Sequence, residues 1–306
     1  MPIRIPNNLP ARKTLEAEGV AVMASSRATR QDIRPLRIGL LNLMPNKQRT
    51  ETQFARLIAA TPLQVELTLV RITDHKSKNT PEEYLRDFYS KWEEVRTQKF
   101  DGFIITGAPI AHLPFEEVRY WPEMLEIMDW TQSNVHSPLF ICWGVQAALY
   151  HFHNVKRLRR KKKAVGIYRH QNKKPNSPFL NGFSDDFAIP VSRNNDIDKN
   201  TLPKDGSLEI LIDSDEVGIC MLEDHKYRAL YMLNHFEYDN LSLANEYVRD
   251  IETGLDPDIP LNYFENDNIN NEPLNTWRAT SYLFFQNWIN QIYQTTPFDI
   301  EKIGKT

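Results

Sequence analysis

Two cysteines, Cys142 and Cys220, are all that the 306 residues contain. That scarcity excludes a disulfide scaffold and a four-cysteine zinc site, and two lone thiols fit a reducing cytosol. A surplus of one charge sign is missing too. The 37 Lys and Arg stand against 40 Asp and Glu, a net charge of −3, so no strong field for nucleic acid or an anionic membrane is expected. Long hydrophobic runs are absent, and the longest are strand-length, too short to cross a bilayer. The opening MPIRIPNNLPARKTLEAEGV carries three prolines and scattered charges and has no apolar h-region of a secretory signal. There is no internal repeat and no low-complexity tract. The expectation is a cytoplasmic protein with no bound metal, no membrane anchor and no nucleic-acid partner.

What is present is ordinary for a globular chain: 41% apolar and 25% charged residues, at a length that buries a sizeable core. Residues 1–34 read as a polar, Pro-containing N-terminal arm with a short helical stretch near 13–18. The arm packs either on the body or on a second subunit. Residues 35–296 read as a single α/β domain and 297–306 as a C-terminal tail. Apolar runs at 37–44 (RIGLLNLM), 65–72 (VELTLVRI), 103–106 (FIIT) and 139–142 (LFIC) predict buried parallel strands. Helical periodicity follows each, at 50–60, 81–97, 121–133 and 144–150. Four alternations of strand and helix predict a doubly wound, mostly parallel α/β sheet with helices on both faces, flavodoxin-like in outline. Ligands bind such sheets at the carboxyl ends of the strands. Beyond 150 the pattern loosens. Residues 151–185 read as a basic run and a polar loop. Shorter strands follow at 187–190, 208–211, 218–222 and 229–234, then helices at 241–250 and 276–293, separated by a long loop at 257–273.

The clearest chemical signal is LFICWGVQ at 139–146. An apolar strand runs straight into Cys142, a glycine follows two residues later, and a helix begins. This is the layout of a nucleophile elbow, where a tight turn lifts the side chain clear of the strand end. Gly144 permits the close backbone approach the turn needs. The new helix aims unpaired N–H groups at the sulfur, which favours the thiolate and can hold an oxyanion. Cys220 has no such context and reads as core. Among eight histidines, His235 has the best setting. It follows the strand 229–234, and Glu237 stands two residues on, on the same side of an extended chain. Glu237 can orient the imidazole while its other nitrogen faces the thiol. His112 and His170 are weaker loop candidates.

Cys-x-Gly-x-Gln on an elbow, with a distant His-x-Glu, resembles the class I glutamine amidotransferase-like superfamily. Further motifs resemble the MetA-type homoserine O-acyltransferase family. They are QDIRPLRIGLLNLMPNK at 31–47, TETQ at 50–53, TGAP at 106–109, FEEV at 115–118 with Tyr120-Trp121, CWGVQA at 142–147, NYF at 262–264 and Trp277-Arg278. The resemblance spans about residues 1–295 in order. It implies a ping-pong acyl transfer in methionine biosynthesis. An acyl-CoA, acetyl-CoA or succinyl-CoA, loads the cysteine, and the hydroxyl of a small amino acid then takes the acyl group. Neither donor is a bound cofactor. On matching positions Cys142 is the nucleophile, His235 the base and Glu237 its orienting acid. Lys163, Ser192 and Arg249 match substrate-binding positions. Lys47 and the backbone N–H of Trp143 are oxyanion candidates. The resemblance also implies a homodimer.

Three departures from the family pattern bear on substrate. Donor choice tracks the position of Ala111, where glutamate goes with acetyl and glycine with succinyl. Alanine is neither, which leaves acetyl slightly preferred and succinyl the alternative. The family's Pro-His-Ser-Arg-His reads Pro190-Val-Ser-Arg-Asn194 here, and its Trp-Arg-Ser-His reads Trp277-Arg-Ala-Thr280. Val191, Asn194 and Thr280 thus replace imidazoles, which makes L-serine a close contender to L-homoserine. One methylene is worth only about 1–3 kcal/mol in a pocket, and a serine acceptor would mean cysteine biosynthesis. Seven of eight residues are basic in KRLRRKKK at 156–163. It reads as a solvated helix end or, alternatively, a landing strip for CoA phosphates. A glutamine-hydrolysing amidotransferase using the same triad is the remote alternative.

Overall fold

The computed structural model describes residues 3–6, 8–18, 22–23, 34–74, 77 and 79–304. Among these, twelve strands form one sheet. They are β1 (Ile3–Arg4), β2 (Val22–Met23), β3 (Leu36–Leu41), β4 (Val65–Arg71), β5 (Ser90–Lys91), β6 (Phe100–Ile105), β7 (Val135–Ile141), β8 (Arg157–Asn172), β9 (Asp186–Ile197), β10 (Leu208–Asp213), β11 (Met221–Asp224) and β12 (Ala229–Met232). Their order is β2-β1-β4-β3-β6-β7-β12-β11-β10-β8-β9, with β5 paired to β4. Neighbours from β2 through β12 run parallel. From β12 onward every pairing is antiparallel. The helices are α1 (Ala11–Ala17), α2 (Lys47–Ile58), α3 (Glu82–Phe88), α4 (Trp92–Val95), α5 (Trp121–Asn134), α6 (Trp143–His153), α7 (Ser242–Glu252) and α8 (Arg278–Thr295).

Strand alternation divides the central strands between two cores. Ile38, Leu40, Ile104, Leu139, Ile141, Leu230 and Met232 face one side, against Phe54 and Ile58 of α2 and Phe284, Trp288 and Ile292 of α8. Leu41, Phe103, Ile105, Phe140 and Tyr231 face the other, against Met124 and Ile127 of α5 and Val145 and Leu149 of α6. Helices therefore cover both faces, as the alternating pattern predicts. Removing this apolar area from water stabilises the layers at about 25 cal/mol per Å². Among the described residues no helix is long and apolar enough to cross a membrane.

The structure corrects several boundaries. The 81–97 stretch is not one helix. It breaks after α3 at Tyr89, whose φ −115, ψ 127 is extended, and Ser90–Lys91 pairs with β4 before α4 begins. The break serves packing, because Tyr89 is buried and its hydroxyl donates to Glu51 at 2.8 Å. The 151–185 region is not loop. Nearly half of it is β8, sixteen residues long, and its basic run is the irregular start of that strand rather than a helix end. Arg157 lies over the Phe115 ring at 4.3 Å, Arg160 pairs with Asp196, and Lys162 reaches Asp258 at 3.1 Å. The N-terminal arm packs on the body where it is described. Ile5, Leu9 and Leu15 are buried in the first core, and β1 extends the sheet beyond β4; residues 24–33 lie outside the described residues. The C-terminal segment folds back as well, with Ile303 buried and its carbonyl accepting from Lys99.

Candidate active site

Two adjacent parallel strands deliver Cys142 and His235 to one edge. Ile141 of β7 stands opposite Met232 of β12. Cys142 follows the first by one residue and His235 follows the second by three. Cys142 is the N-cap of α6 with φ 51, ψ −110, a conformation that costs a non-glycine residue about 1–3 kcal/mol and persists only when its surroundings fix it. The fixing is visible. The Cys142 N–H donates to the Met232 carbonyl at 2.8 Å. A Cβ at Gly144 would sit 3.0 Å from the carbonyl oxygens of Ile105 and Thr106, and one at Gly107 would sit 3.1 Å from Cys142 Cβ. The elbow exists because two glycines let three strand ends crowd together. Trp143 opens α6, so its N–H has no acceptor within the helix. Its indole is buried against Phe115 and Tyr120, so only its backbone serves the site.

His235 is 4% exposed. Its Nδ1 lies 2.7 Å from Glu237 Oε1, the Cys142 side chain is close enough to act on its charge, and its ring stacks on Tyr238 at 4.1 Å. Burial works against a charged imidazole. The Glu237 carboxylate and the Cys142 sulfur outweigh it and raise the His235 pKa well above its ordinary value. The site thus favours imidazolium beside sulfur, the arrangement of an activated thiol. Behind it, Asn234 bonds the His170 ring at 2.7 Å and accepts from Arg193, which locks the chain ahead of His235.

Lys163, Ser192 and Arg249 come together, but on carboxylates of α7 that the sequence reading missed. Glu246 accepts from Lys163 at 3.2 Å, from Ser192 and from Tyr238. Burial would raise the Glu246 carboxyl, yet these partners and nearby His235 hold it below the usual carboxylate range. Lys163 also reaches Asp250 at 3.0 Å, and Arg249 donates to Asp250 at 2.6 Å. The Lys163 ammonium, expected at a substrate-binding position, is thus paired with two carboxylates. Glu246 and Arg249 are one helical turn apart and line a cleft of about 470 Å³ with Lys47 and Tyr238. The available signal was their i, i+3 spacing on a predicted helix.

Lys47, expected near the oxyanion, is buried, and its Nζ donates to the Asn42 carbonyl at 2.6 Å. These bonds tie it to its own loop rather than to the triad. Ala111 sits in a loop whose carbonyl accepts from Asn195 at 2.9 Å, and Asn195 also reaches Gln146 of the elbow helix at 3.4 Å. The two weaker histidine candidates stay outside the triad. His112 is exposed. His170 is fully buried, and burial pushes it down to about 4, so it is neutral and structural. Cys220 is core, its thiol pushed up to about 12 by burial. Val191 points into a core with Ala164 and Val217, opposite to Ser192, so this departure does not face the acceptor side.

Among solved structures, the chain is similar to a glutamine amidotransferase from Thermotoga maritima, with TM-score 0.52 and 11% identity over 86% of this chain and 100% of that one. It is also similar to a glutamine amidotransferase from Methylobacillus flagellatus, with TM-score 0.53 and 12% identity over 86% and 95%. The fold is thus that of the class I glutamine amidotransferase-like proteins, here with a Cys–His–Glu constellation at the elbow. Sequence comparison narrows the class. The chain is 68% identical over 304 residues to a Pelagibacterium halotolerans protein named homoserine O-succinyltransferase, with 99% of each covered. It is 58% identical over 305 residues to a Brucella canis protein named homoserine O-acetyltransferase, with both covered in full. The homoserine O-succinyltransferase family matches residues 2–298, and the chain belongs to it.

Proposed function

We propose that the protein moves an acyl group from acyl-CoA to the side-chain hydroxyl of L-homoserine through an acyl-Cys142 thioester. The observation that carries this reading is the juxtaposition at the elbow: sulfur, imidazole and carboxylate in series, one tyrosine ring away from the opposed charges of Glu246 and Arg249. In the first half-reaction the Cys142 thiolate attacks the acyl carbonyl of the donor. The oxyanion is held by the free Trp143 N–H, and CoA leaves as a thiol with the proton from His235. In the second, His235 takes the proton of the acceptor hydroxyl, the oxygen attacks the thioester, and Cys142 leaves as thiolate. Glu246 receives the α-ammonium and Arg249 the α-carboxylate. Homoserine is favoured over serine because Val191, one of the three departures that raised serine, faces the core.

Incubation with acyl-CoA and no acceptor should release one CoA per chain and add the acyl mass to Cys142; homoserine should then discharge it faster than serine. Full turnover by Cys142→Ala would overturn the mechanism, and release of ammonia from glutamine with no use of acyl-CoA would favour the amidotransferase alternative. Exposed Lys156, just before β8, and Arg159 and Lys161 at its start are offered to the CoA phosphates, and replacing all three by alanine should raise the KM for acyl-CoA. The expected homodimer has a candidate face in exposed Val248 and Ile251 of α7 with Leu255 just beyond it, and light scattering would test it.

A further inference from the structure

A second cavity of about 340 Å³ opens at the same edge of the sheet, over the ends of β4, β3 and β6. Its walls are mostly apolar, among them Leu43, Ile72, Leu85 and Ile110. Arg71, the last residue of β4, also lines it. Arg71 is 8% exposed, and its Nε is buried with no hydrogen-bond partner. One terminal nitrogen donates to Glu82 at 2.8 Å, but that carboxylate is 63% exposed and bathed in solvent. A buried guanidinium N–H without an acceptor is costly, and a carboxylate is the acceptor that matches its planar fork.

The cavity lies close to Cys142. Gly107 packs against Cys142, and the next residue, Ala108, is in the cavity wall. Strand register sets the reach. Val70 stands opposite Leu41, Leu41 opposite Ile105, and Ile105 opposite Phe140. Arg71 lies one residue past this row and Cys142 two past it, three strand spacings away, so their backbones are about 14 Å apart. An extended cysteine, a four-carbon dicarboxylic acyl chain, one hydrogen bond and an arginine side chain together span roughly that distance. An acetyl group stops well short of it. Lys47 also faces the cavity. Its ammonium is pushed down to about 8 by burial first and by the neighbouring Arg71 charge, against the pull of Glu51. Glu51 itself is engaged by the hydroxyls of Tyr84 and Tyr89. Two cations thus border an apolar cavity beside the nucleophile.

We propose that Arg71 forms the far end of an acyl subsite and binds the distal carboxylate of a dicarboxylic acyl group carried on Cys142. The proposal rests on the acyl-Cys142 reading above. It places the donor discrimination of this chain in an attractive contact at Arg71 as well as in the neutral Ala111.

The test measures kcat/KM for succinyl-CoA, acetyl-CoA and butyryl-CoA with homoserine held fixed. Butyryl matches succinyl in carbon count but lacks the carboxylate. The wild-type protein should favour succinyl-CoA over butyryl-CoA by about 100-fold, the scale of a buried charge-assisted contact. In Arg71→Met that ratio should fall to within a few-fold of unity, and Arg71→Lys should restore part of it. Equal use of succinyl-CoA and butyryl-CoA by the wild type would overturn the proposal and needs no folded variant. Equal loss on all donors in Arg71→Met would overturn it too, as a merely structural role. If no donor loads Cys142, it is the acyl-enzyme reading that fails. If acetyl loads Cys142 and succinyl does not, the subsite fails and the acyl-enzyme stands.

Discussion

Nδ1 of His235 lies 2.7 Å from Oε1 of Glu237, two residues on in the chain, and both side chains are buried. The second Glu237 oxygen has no hydrogen-bond partner, so the carboxylate's hydrogen bonding is committed to the imidazole. Glu237→Gln keeps the shape and removes the charge that holds the imidazolium. Acylation of Cys142 should fall by up to about 10⁴-fold, the loss that follows when a triad carboxylate is neutralised. Iodoacetamide should also alkylate Cys142 more slowly at neutral pH. An unchanged alkylation rate would mean that the sulfur does not depend on this ion pair.

In the proposed mechanism Glu246 separates the two half-reactions. Its carboxylate is ionised and lies beside Tyr238, whose ring stacks on His235. On the proposed reading it serves the acceptor's ammonium and not the donor. Glu246→Gln should raise the homoserine KM by about 10- to 100-fold, the worth of one buried charge-assisted contact. The burst of CoA released before acceptor is added should change far less. A burst lost in parallel would show that Glu246 holds the site together instead.

Lys47 carries a titration that activity can report. Burial, aided by Arg71 and opposed by Glu51, lowers its pKa to about 8, so the ammonium is present below that pH and lost above it. Its charge borders both cavities. The kcat/KM for acyl-CoA should decline as pH rises through about 8, and Lys47→Arg, which stays charged, should carry the plateau to higher pH. A decline identical in both proteins would assign the limb to another group.

Legibility in the sequence followed the range of the interactions. The parallel half was readable because buried strands and their helices leave continuous apolar runs and a 3.6-residue period. The elbow was readable because Cys142 and Gly144 are local to one turn, and His235 and Glu237 to one strand end. The antiparallel half was readable only in part: its short apolar strands showed, but β8 did not, since its basic start carries no apolar alternation and is held by partners such as Asp196 and Asp258. Tyr89 broke a good helical period because Glu51, 38 positions away, offered its hydroxyl a buried acceptor. Glu246 was hidden in the same way. Its meaning comes from Lys163 and Ser192, brought to α7 by two strands of the looser half.

The buttress behind His235 predicts how the fold responds to acid. His170 is fully buried, and burial pushes its pKa down to about 4 from 6.5. The unfolded chain therefore binds this proton at higher pH than the folded one. The stability held by the neutral ring is present above about 6.5 and is lost as pH falls toward 4. Integrated over that window, the loss between pH 7 and pH 5 is about 2 kcal/mol. Urea unfolding at the two pH values should show it as a lower midpoint at pH 5. His170→Gln, which cannot take up the proton but can still bond Asn234, should be less stable at pH 7 and should lack most of that pH slope. Because Asn234 precedes His235 and bonds this ring, the variant should also lower kcat while leaving the acid limb of the pH–rate profile in place, since His170 stands behind the site and outside the triad.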